Sequence, residues 1–261
     1  ISYAITVEEL SRVCASTGVI CSAHTSLCCW PIFAWGNKEQ KEKYLPDLLS
    51  GRKLGAFGLT EPGAGTDSAG QQTRAVLDGD EYVLNGSKVF ITNGGYAETF
   101  VVMAMTDKSK GNRGITAFIV EKGDEGFSIG KTEDKMGICA SSTTELVFKD
   151  CRIPKDRVLG KVGQGFKVAM STLDGGRIGI ASQALGIAQG AFDETVKYMK
   201  QRKQFGKTLD KFQALSFEMA SMKVRIDGAR YLLYDACNRR DRGLPSTVAA
   251  AEAKLACSEA A

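Results

Sequence analysis

Residues 57 to 67, Phe57-Gly58-Leu59-Thr60-Glu61-Pro62-Gly63-Ala64-Gly65-Thr66-Asp67, are the stretch best suited to chemistry. An apolar, strand-like start runs into a loop holding glycines, a proline and several hydroxyl or carboxylate side chains. Glycines let the backbone approach a ligand closely. Hydroxyls and free N–H groups can then bond ring carbonyls and phosphate. The same composition also suits an ordinary turn with an Asx-type cap, and residue types alone leave both open.

The usual nucleotide motifs fail. Gly126-Phe127-Ser128-Ile129-Gly130-Lys131-Thr132 mimics a phosphate-binding loop but is one residue short between its glycines, and it reads as a strand and turn. Gly160-Lys161-Val162-Gly163-Gln164-Gly165 precedes a helical pattern and reads more readily as a flexible junction. His24 is the one histidine, which excludes a His-based metal cluster and leaves a Ser-His-Asp hydrolase resting on that residue alone. Outside every motif, it reads as structural. The eight cysteines form no C-x-x-C pair, so zinc-ribbon and thioredoxin-like chemistry are disfavoured. Scattered cysteines in a long chain suit a reducing cytoplasm, so a cytoplasmic location is expected.

These residues need a scaffold, and three zones supply it. Residues 1–53 read as helices, with Asn37 as N-cap of Lys38 to Tyr44, Pro46 as a break, and residues 28–35 as buried core. Residues 54–160 carry short β-prone runs at 73–77, 81–84, 88–92, 100–105, 115–120 and 145–148. Turn signals separate them, among them Asp78-Gly79-Asp80, Asn85-Gly86 and Asn93-Gly94-Gly95, which indicates an antiparallel sandwich or barrel. Residues 161–261 are helical again. Phe212, Leu215, Met219, Met222, Ile226, Ala229, Leu233 and Ala236 repeat at coiled-coil spacing, and Leu185, Ala188, Phe192, Thr195 and Met199 do the same. Two long helices joined by residues 201–210 predict an antiparallel bundle. The fold class is therefore α+β and multi-domain.

The chain has 261 residues, 43% of them apolar and 25% charged, with a net charge of +4. Acids interleave with the bases, so no nucleic-acid partner is expected. No apolar run reaches the ~18 residues of a membrane span, so no membrane is expected either. The start, helical in pattern without an initiator Met, and the end, inside a helix-favouring run, read as cuts within a longer chain.

Several motifs together resemble the acyl-CoA dehydrogenase family. They are the 57–67 loop, Phe90-Ile91-Thr92-Asn93, Asp134-Lys135-Met136-Gly137, Leu173-Asp174-Gly175-Gly176-Arg177 and Gln201-Arg202-Lys203-Gln204-Phe205-Gly206. They stand in the family's order along almost the whole chain. Residues 55–62 and 172–179 are most similar to its bacterial short-chain, butyryl-CoA branch. The resemblance implies an α-domain, a β-barrel and a C-terminal four-helix bundle, with FAD between the last two. It implies that Phe57, Leu59 and Thr60 face the flavin ring, and that Phe90, Ile91 and Thr92 pack and bond its other side, Thr92 near N5. Arg202 would reach the FAD pyrophosphate of a neighbouring subunit, with Phe212 and Gln213 beside it. Thr66 would touch cofactor and the CoA portion; Asp174 and Arg177 would bind the adenosine end or the pantetheine chain. On residue types alone, Arg202 reads rather as part of a solvated basic turn, Asp174 and Arg177 suit an ordinary helix-surface pair, and Phe90 suits a core strand aromatic.

The implied reaction is FAD-dependent oxidation of a short-chain acyl-CoA to the trans-2-enoyl-CoA, with electrons passing to electron-transfer flavoprotein from a homotetramer. Family members use a glutamate base. One family placement matches Gly176, which has no side chain; the other lies in a Tyr-Glu-Gly-Thr-like stretch absent from residues 1–261. The base is therefore expected beyond Ala261. Alternatives are a glutaryl-CoA dehydrogenase, an acyl-CoA oxidase, or a non-catalytic acyl-CoA- or flavin-binding scaffold.

Overall fold

The structure is a computed structural model and describes residues 1–261. The chain forms two compact units, Ser22–Leu173 and the pair of segments Ile1–Cys21 and Asp174–Ala261. The helices are α1 (Ser2–Val13), α2 (Ala15–Ser22), α3 (Trp30–Trp35), α4 (Lys38–Leu49), α5 (Gly165–Gln201), α6 (Gln213–Asp241) and α7 (Thr247–Ala260). The strands are β1 (Gly55–Gly58), β2 (Arg74–Asp78), β3 (Glu81–Thr92), β4 (Thr99–Met105), β5 (Ile115–Glu121), β6 (Phe127–Thr132), β7 (Thr143–Pro154) and β8 (Val158–Leu159), with a small hairpin of β9 (Lys203–Gln204) and β10 (Lys207–Thr208).

In the Ser22–Leu173 unit one sheet runs in the order β6-β7-β3-β2-β4-β5-β8, and β1 joins the edge of β4. Its pairings are antiparallel except β1 with β4 and a single bridge, Arg74 to Met105, between β2 and β4. Strands β4 and β5 read as unbroken apolar runs because both their faces are buried. Val101 and Met103 pack with Ile32, Tyr44, Leu45 and Leu48 on the helical side. Phe100, Val102 and Ala104 pack with Tyr82, Leu146 and Phe148 on the other. The helices of residues 22–49 thus share a core with the strands.

Local chemistry departs from the sequence expectation at three places. Helix α4 runs through Pro46, although its N-terminus carries the expected Asn37 cap, completed as a capping box by Gln40. Tyr44, Leu45 and Leu48 are buried on either side of the proline and hold the last turn, while Glu42, whose carbonyl loses its donor, is an exposed residue. Asn85-Gly86 is not a hairpin turn but part of the twelve-residue β3. There β7 carries one extra residue, with Asp150 at φ 48, and the Asn85 side chain pairs with it: its amide donates to Asp150 Oδ1 (3.1 Å) and its carbonyl accepts the Asp150 N–H (2.9 Å). Finally, α2, a π-helical turn at Ala23–Cys29 and α3 join into one helix, Ala15–Trp35, long and apolar enough by length and composition to cross a membrane. That corrects the expectation of no such run. Cys28, Cys29 and Ile32 nevertheless spend its apolar surface inside the sheet's own core. Phe33, expected in the core, is 64% exposed, with the Lys41 ammonium over its ring.

In the other unit, Ile178, Ala181, Leu185 and Ala188 of α5 meet Ile226, Ala229, Leu233 and Ala236 of α6 and Ala250, Ala253 and Cys257 of α7. The spacing read from the sequence is the core stripe only from Ile226 onward; Leu215 and Met222 are more than 40% exposed. Helix α1 lies against α5 where Gly186 and Gly190 leave room: a Cβ would stand 2.2 Å from the backbone oxygens of Glu8 and Arg12 respectively. The buried Glu8 carboxylate accepts bonds from Arg230 (2.9 Å) and Tyr234 (3.2 Å) of α6.

His24 anchors the π-helical turn. Its Nδ1 accepts the Gly55 N–H (2.9 Å) and its Nε2 donates to Leu48 O (3.0 Å). Burial holds its pKa below the usual 6.5, against the opposing pull of the Leu48 carbonyl. The folded state thus binds fewer protons than the unfolded one. Stability is full above about pH 6.5 and is lost as pH falls from there toward the depressed folded value. Urea unfolding at pH 7.5 and 5.5 should show a drop in the unmodified protein and a smaller one in His24→Gln.

Candidate functional site

The site grows from a split in the sheet. Strands β1 and β2 share one edge of β4, and residues 59–73 bridge the gap between them. Backbone groups in such a gap have no ladder partner and must find another. Met105 N–H donates to Thr73 O (2.7 Å) and Val89 N–H to Thr60 O (2.9 Å). The Glu61 carboxylate takes the Gln72 N–H (2.6 Å) and the Thr73 N–H (3.0 Å). The Lys88 ammonium donates to Leu59 O (3.1 Å), Glu61 Oε1 (2.8 Å) and Gln71 Oε1 (3.0 Å), which uses all three of its N–H bonds.

Lys88 is fully buried, and Glu61 is 6% exposed. Burial pushes the lysine pKa down to about 8, against the pull of the Glu61 charge. Burial would raise the Glu61 carboxyl; the Lys88 charge and the Gln72 N–H overrule it and hold it below the usual range. The sequence reading missed this pair. The signal was parity: Lys88 falls on the same face of β3 as the buried Tyr82 and Leu84.

Just past Lys88, strand β3 carries an extra residue opposite β7, and Phe90 adopts φ 60. A positive φ is uncommon for an aromatic residue and marks a strained position. The bulge turns Phe90 outward, 64% exposed, while Ile91 returns to the core. Phe90, Ile91 and Thr92 line a cavity of about 180 Å³ together with Phe57, Leu59 and Thr60 from the neighbouring segment, and Ala23, Leu27 and Leu173 complete it. Gly55 lets the helix bearing Ala23 and Leu27 come this close, since a Cβ there would stand 2.5 Å from Cys28 Sγ. The Thr60 and Thr92 hydroxyls face no protein hydrogen-bond partner, and the cavity lining holds no carboxylate.

Six residues expected at a flavin ring are thus gathered in one cavity. Thr66 is not among them; it is exposed beyond the Glu61–Ala64 bridge of the same loop. The remaining expected residues belong to the other unit. Asp174 pairs with Arg177 along α5 and accepts the Thr247 hydroxyl (2.9 Å). Arg202 is exposed and its guanidinium has no acidic partner. Gln213 is exposed at the start of α6, and the neighbouring Phe212 ring stands 6.3 Å from Phe205 with Lys207 over its face. Gly176 is a helical residue of α5.

Models of three acyl-CoA dehydrogenase domains match in succession: N-terminal over residues 1–52, middle over 56–151 and C-terminal over 163–261. The chain belongs to the acyl-CoA dehydrogenase family. It is 65% identical over 255 residues to "Acyl-CoA dehydrogenase, short-chain specific" of Clostridium acetobutylicum, covering 98% of this chain and 67% of that protein. It is 57% identical to the protein of the same description from Megasphaera elsdenii, covering 100% and 68%. The solved butyryl-CoA dehydrogenase of Megasphaera elsdenii superposes with a TM-score of 0.98 over the whole of this chain and 68% of that one, at 57% identity. A chain from the structure described as the electron transferring flavoprotein of Acidaminococcus fermentans does so at 0.99, with 58% identity and the same coverage.

The buried pair should be costly to break and cheaper to replace. Glu61→Leu leaves a buried ammonium unpaired and two backbone N–H groups open, and should cost about 3–5 kcal/mol in urea unfolding. Glu61→Leu with Lys88→Met removes the uncompensated charge and should cost less than the two single changes added together.

Proposed function

We propose that this chain carries the flavin and acyl-CoA surfaces of a short-chain acyl-CoA dehydrogenase, acting on a butyryl-CoA-like thioester to give the trans-2-enoyl-CoA. The observation that carries the reading is the cavity, where two unengaged threonine hydroxyls and an outward-turned aromatic ring share an otherwise apolar lining. That set fits a tricyclic ring with polar edges and apolar faces. A volume of about 180 Å³ suits the ring end of a flavin and leaves the dinucleotide tail to other residues. The higher identity to short-chain relatives than to the glutaryl-CoA dehydrogenase structure, 35%, supports the short-chain assignment.

FAD bound there would supply the hydride acceptor. The protein's own residues orient and shield. Phe57, Leu59 and Thr60 would hold one side of the ring, and Phe90, Ile91 and Thr92 the other, with the Thr92 hydroxyl offered to its polar edge. Arg202, free of acidic partners, holds the pyrophosphate of a neighbouring subunit's FAD with Phe212 and Gln213, which is the reason for FAD rather than FMN and for a homotetramer. Thr66 touches cofactor and CoA; Asp174 and Arg177 hold the CoA moiety away from the chemistry. No carboxylate lines the cavity, so the reading places the glutamate base outside residues 1–261. The match to the Acidaminococcus fermentans structure supports electron-transfer flavoprotein as acceptor. Cytoplasmic location belongs to the same reading.

Anaerobic butyryl-CoA should bleach the visible band of the flavin-loaded full-length enzyme, base included, and yield the enoyl-CoA; a band that survives stoichiometric substrate there sinks the assignment. A charge-assisted arginine–phosphate bond contributes about 1.5–3 kcal/mol. Arg202→Ala should therefore weaken FAD binding roughly 10- to 100-fold by fluorescence titration, and unchanged affinity would remove Arg202 from the site.

A further inference from the structure

We infer that Lys88 is a positioning residue for the flavin cavity: through its three hydrogen bonds it fixes the two cavity walls, Leu59–Thr60 and Phe90–Thr92, in one register. The inference rests on the flavin reading above and goes beyond it by naming the group that holds the two lining segments in place.

Neither wall is held by a continuous ladder. The first leaves β1 at Gly58 and enters the loop; the second begins at a bulge, where pairing with β7 lapses between Lys88 and Ile91. Two links tie them directly. One is the backbone bond from Val89 N–H to Thr60 O (2.9 Å). The other is Lys88 itself, one residue before Val89, bonded to the carbonyl of Leu59 at 3.1 Å. Glu61 and Gln71, its other two acceptors, stand on the two ends of the same loop, so the ammonium also closes that loop on itself. A fully buried ammonium with every donor used has no freedom to rotate, and its four-carbon stem fixes the distance from β3 to the loop. Removing it would leave the Leu59 carbonyl and the Gln71 amide oxygen unpaired and the buried Glu61 carboxylate without its counter-charge, and release the Thr60 and Thr92 hydroxyls from their mutual spacing.

The test compares the holoprotein with Lys88→Met, with Gln71→Met, which removes one acceptor and leaves no charge unpaired, and with Arg157→Met. The last breaks the Arg157–Asp124 pair (2.6 Å), whose members are also mostly buried in this unit but line no part of the cavity. Each variant is made in the full-length enzyme, which supplies the base, and measured for FAD affinity, flavin absorption spectrum, steady-state kinetics with butyryl-CoA, and Tm. Lys88→Met should weaken FAD binding about tenfold or more, alter the visible flavin band, and lower kcat while KM stays within about twofold. Gln71→Met should move the same readouts in the same direction by about threefold. Arg157→Met should lose Tm yet keep wild-type FAD affinity and spectrum. Wild-type affinity and spectrum in Lys88→Met would overturn the proposal, as would equal losses in Arg157→Met at a matched drop in Tm. If Lys88→Met does not fold, Gln71→Met decides by the same criteria, and its failure to fold as well would make Lys88 a residue of general stability and overturn the proposal. An unmodified protein that takes up no flavin would refute the flavin reading itself, an outcome distinct from all of these.

Discussion

The Lys88–Glu61 pair is the constraint on which the site depends. Two strands share one edge of β4, and the chain between them must cross a gap in which its amides have no ladder partner. Inside a protein such groups cost more than the hydrogen bonds they would have made, so a gap of this kind closes only if side chains stand in for a strand. Glu61 does this for the N–H groups of Gln72 and Thr73, and Lys88 for the carbonyl of Leu59. Each charge is tolerable because the other neutralises it. The pair's net contribution to stability is modest for that reason, and its larger effect is on geometry.

The same gap explains why the cavity lies where it does. A continuous sheet would tie the backbone of residues 57–60 and 90–92 to neighbouring strands along their whole length. Splitting β1 from β2 leaves the loop backbone free to curve, and the bulge turns Phe90 outward. The helix through Ala23 and Leu27 then covers the floor, admitted by Gly55 and tied down by His24 to Gly55 and Leu48. Strain at Phe90, of the order of 1–3 kcal/mol, persists because Lys88 on one side and the buried Ile91 on the other fix the strand around it.

Much of this was legible in the sequence, but unevenly. The loop 57–67 and the run 90–93 are visible because their residue types are unusual together. The strands of the core were visible because β4 and β5 are apolar on both faces. Hidden were features that depend on what stands opposite. Asn85-Gly86 carries a hairpin's residues, yet its side-chain amide is taken by Asp150, 65 positions away, so the strand continues. Pro46 breaks a helix in isolation, but leucines buried on both sides of it hold α4 together. In α6 one apolar spacing runs the length of the helix, and only the part from Ile226 onward meets a partner within this chain.

Lys88 shows the same limit most sharply. A lysine between a serine and a valine reads as a surface residue, because lysine is rarely buried without a partner. Its partner lies 27 residues away in the loop that was already singled out, and Glu61 there reads as a turn residue or a ligand contact. Neither residue reveals the other by type or local spacing. What links them is the pleat: Lys88 shares the inward face of β3 with Tyr82 and Leu84, so an inward lysine in an apolar strand requires an acid at its tip. The motif residues recognisable by type are thus those that would touch the ligand, while the residues that set their spacing are recognisable only from the burial they must satisfy.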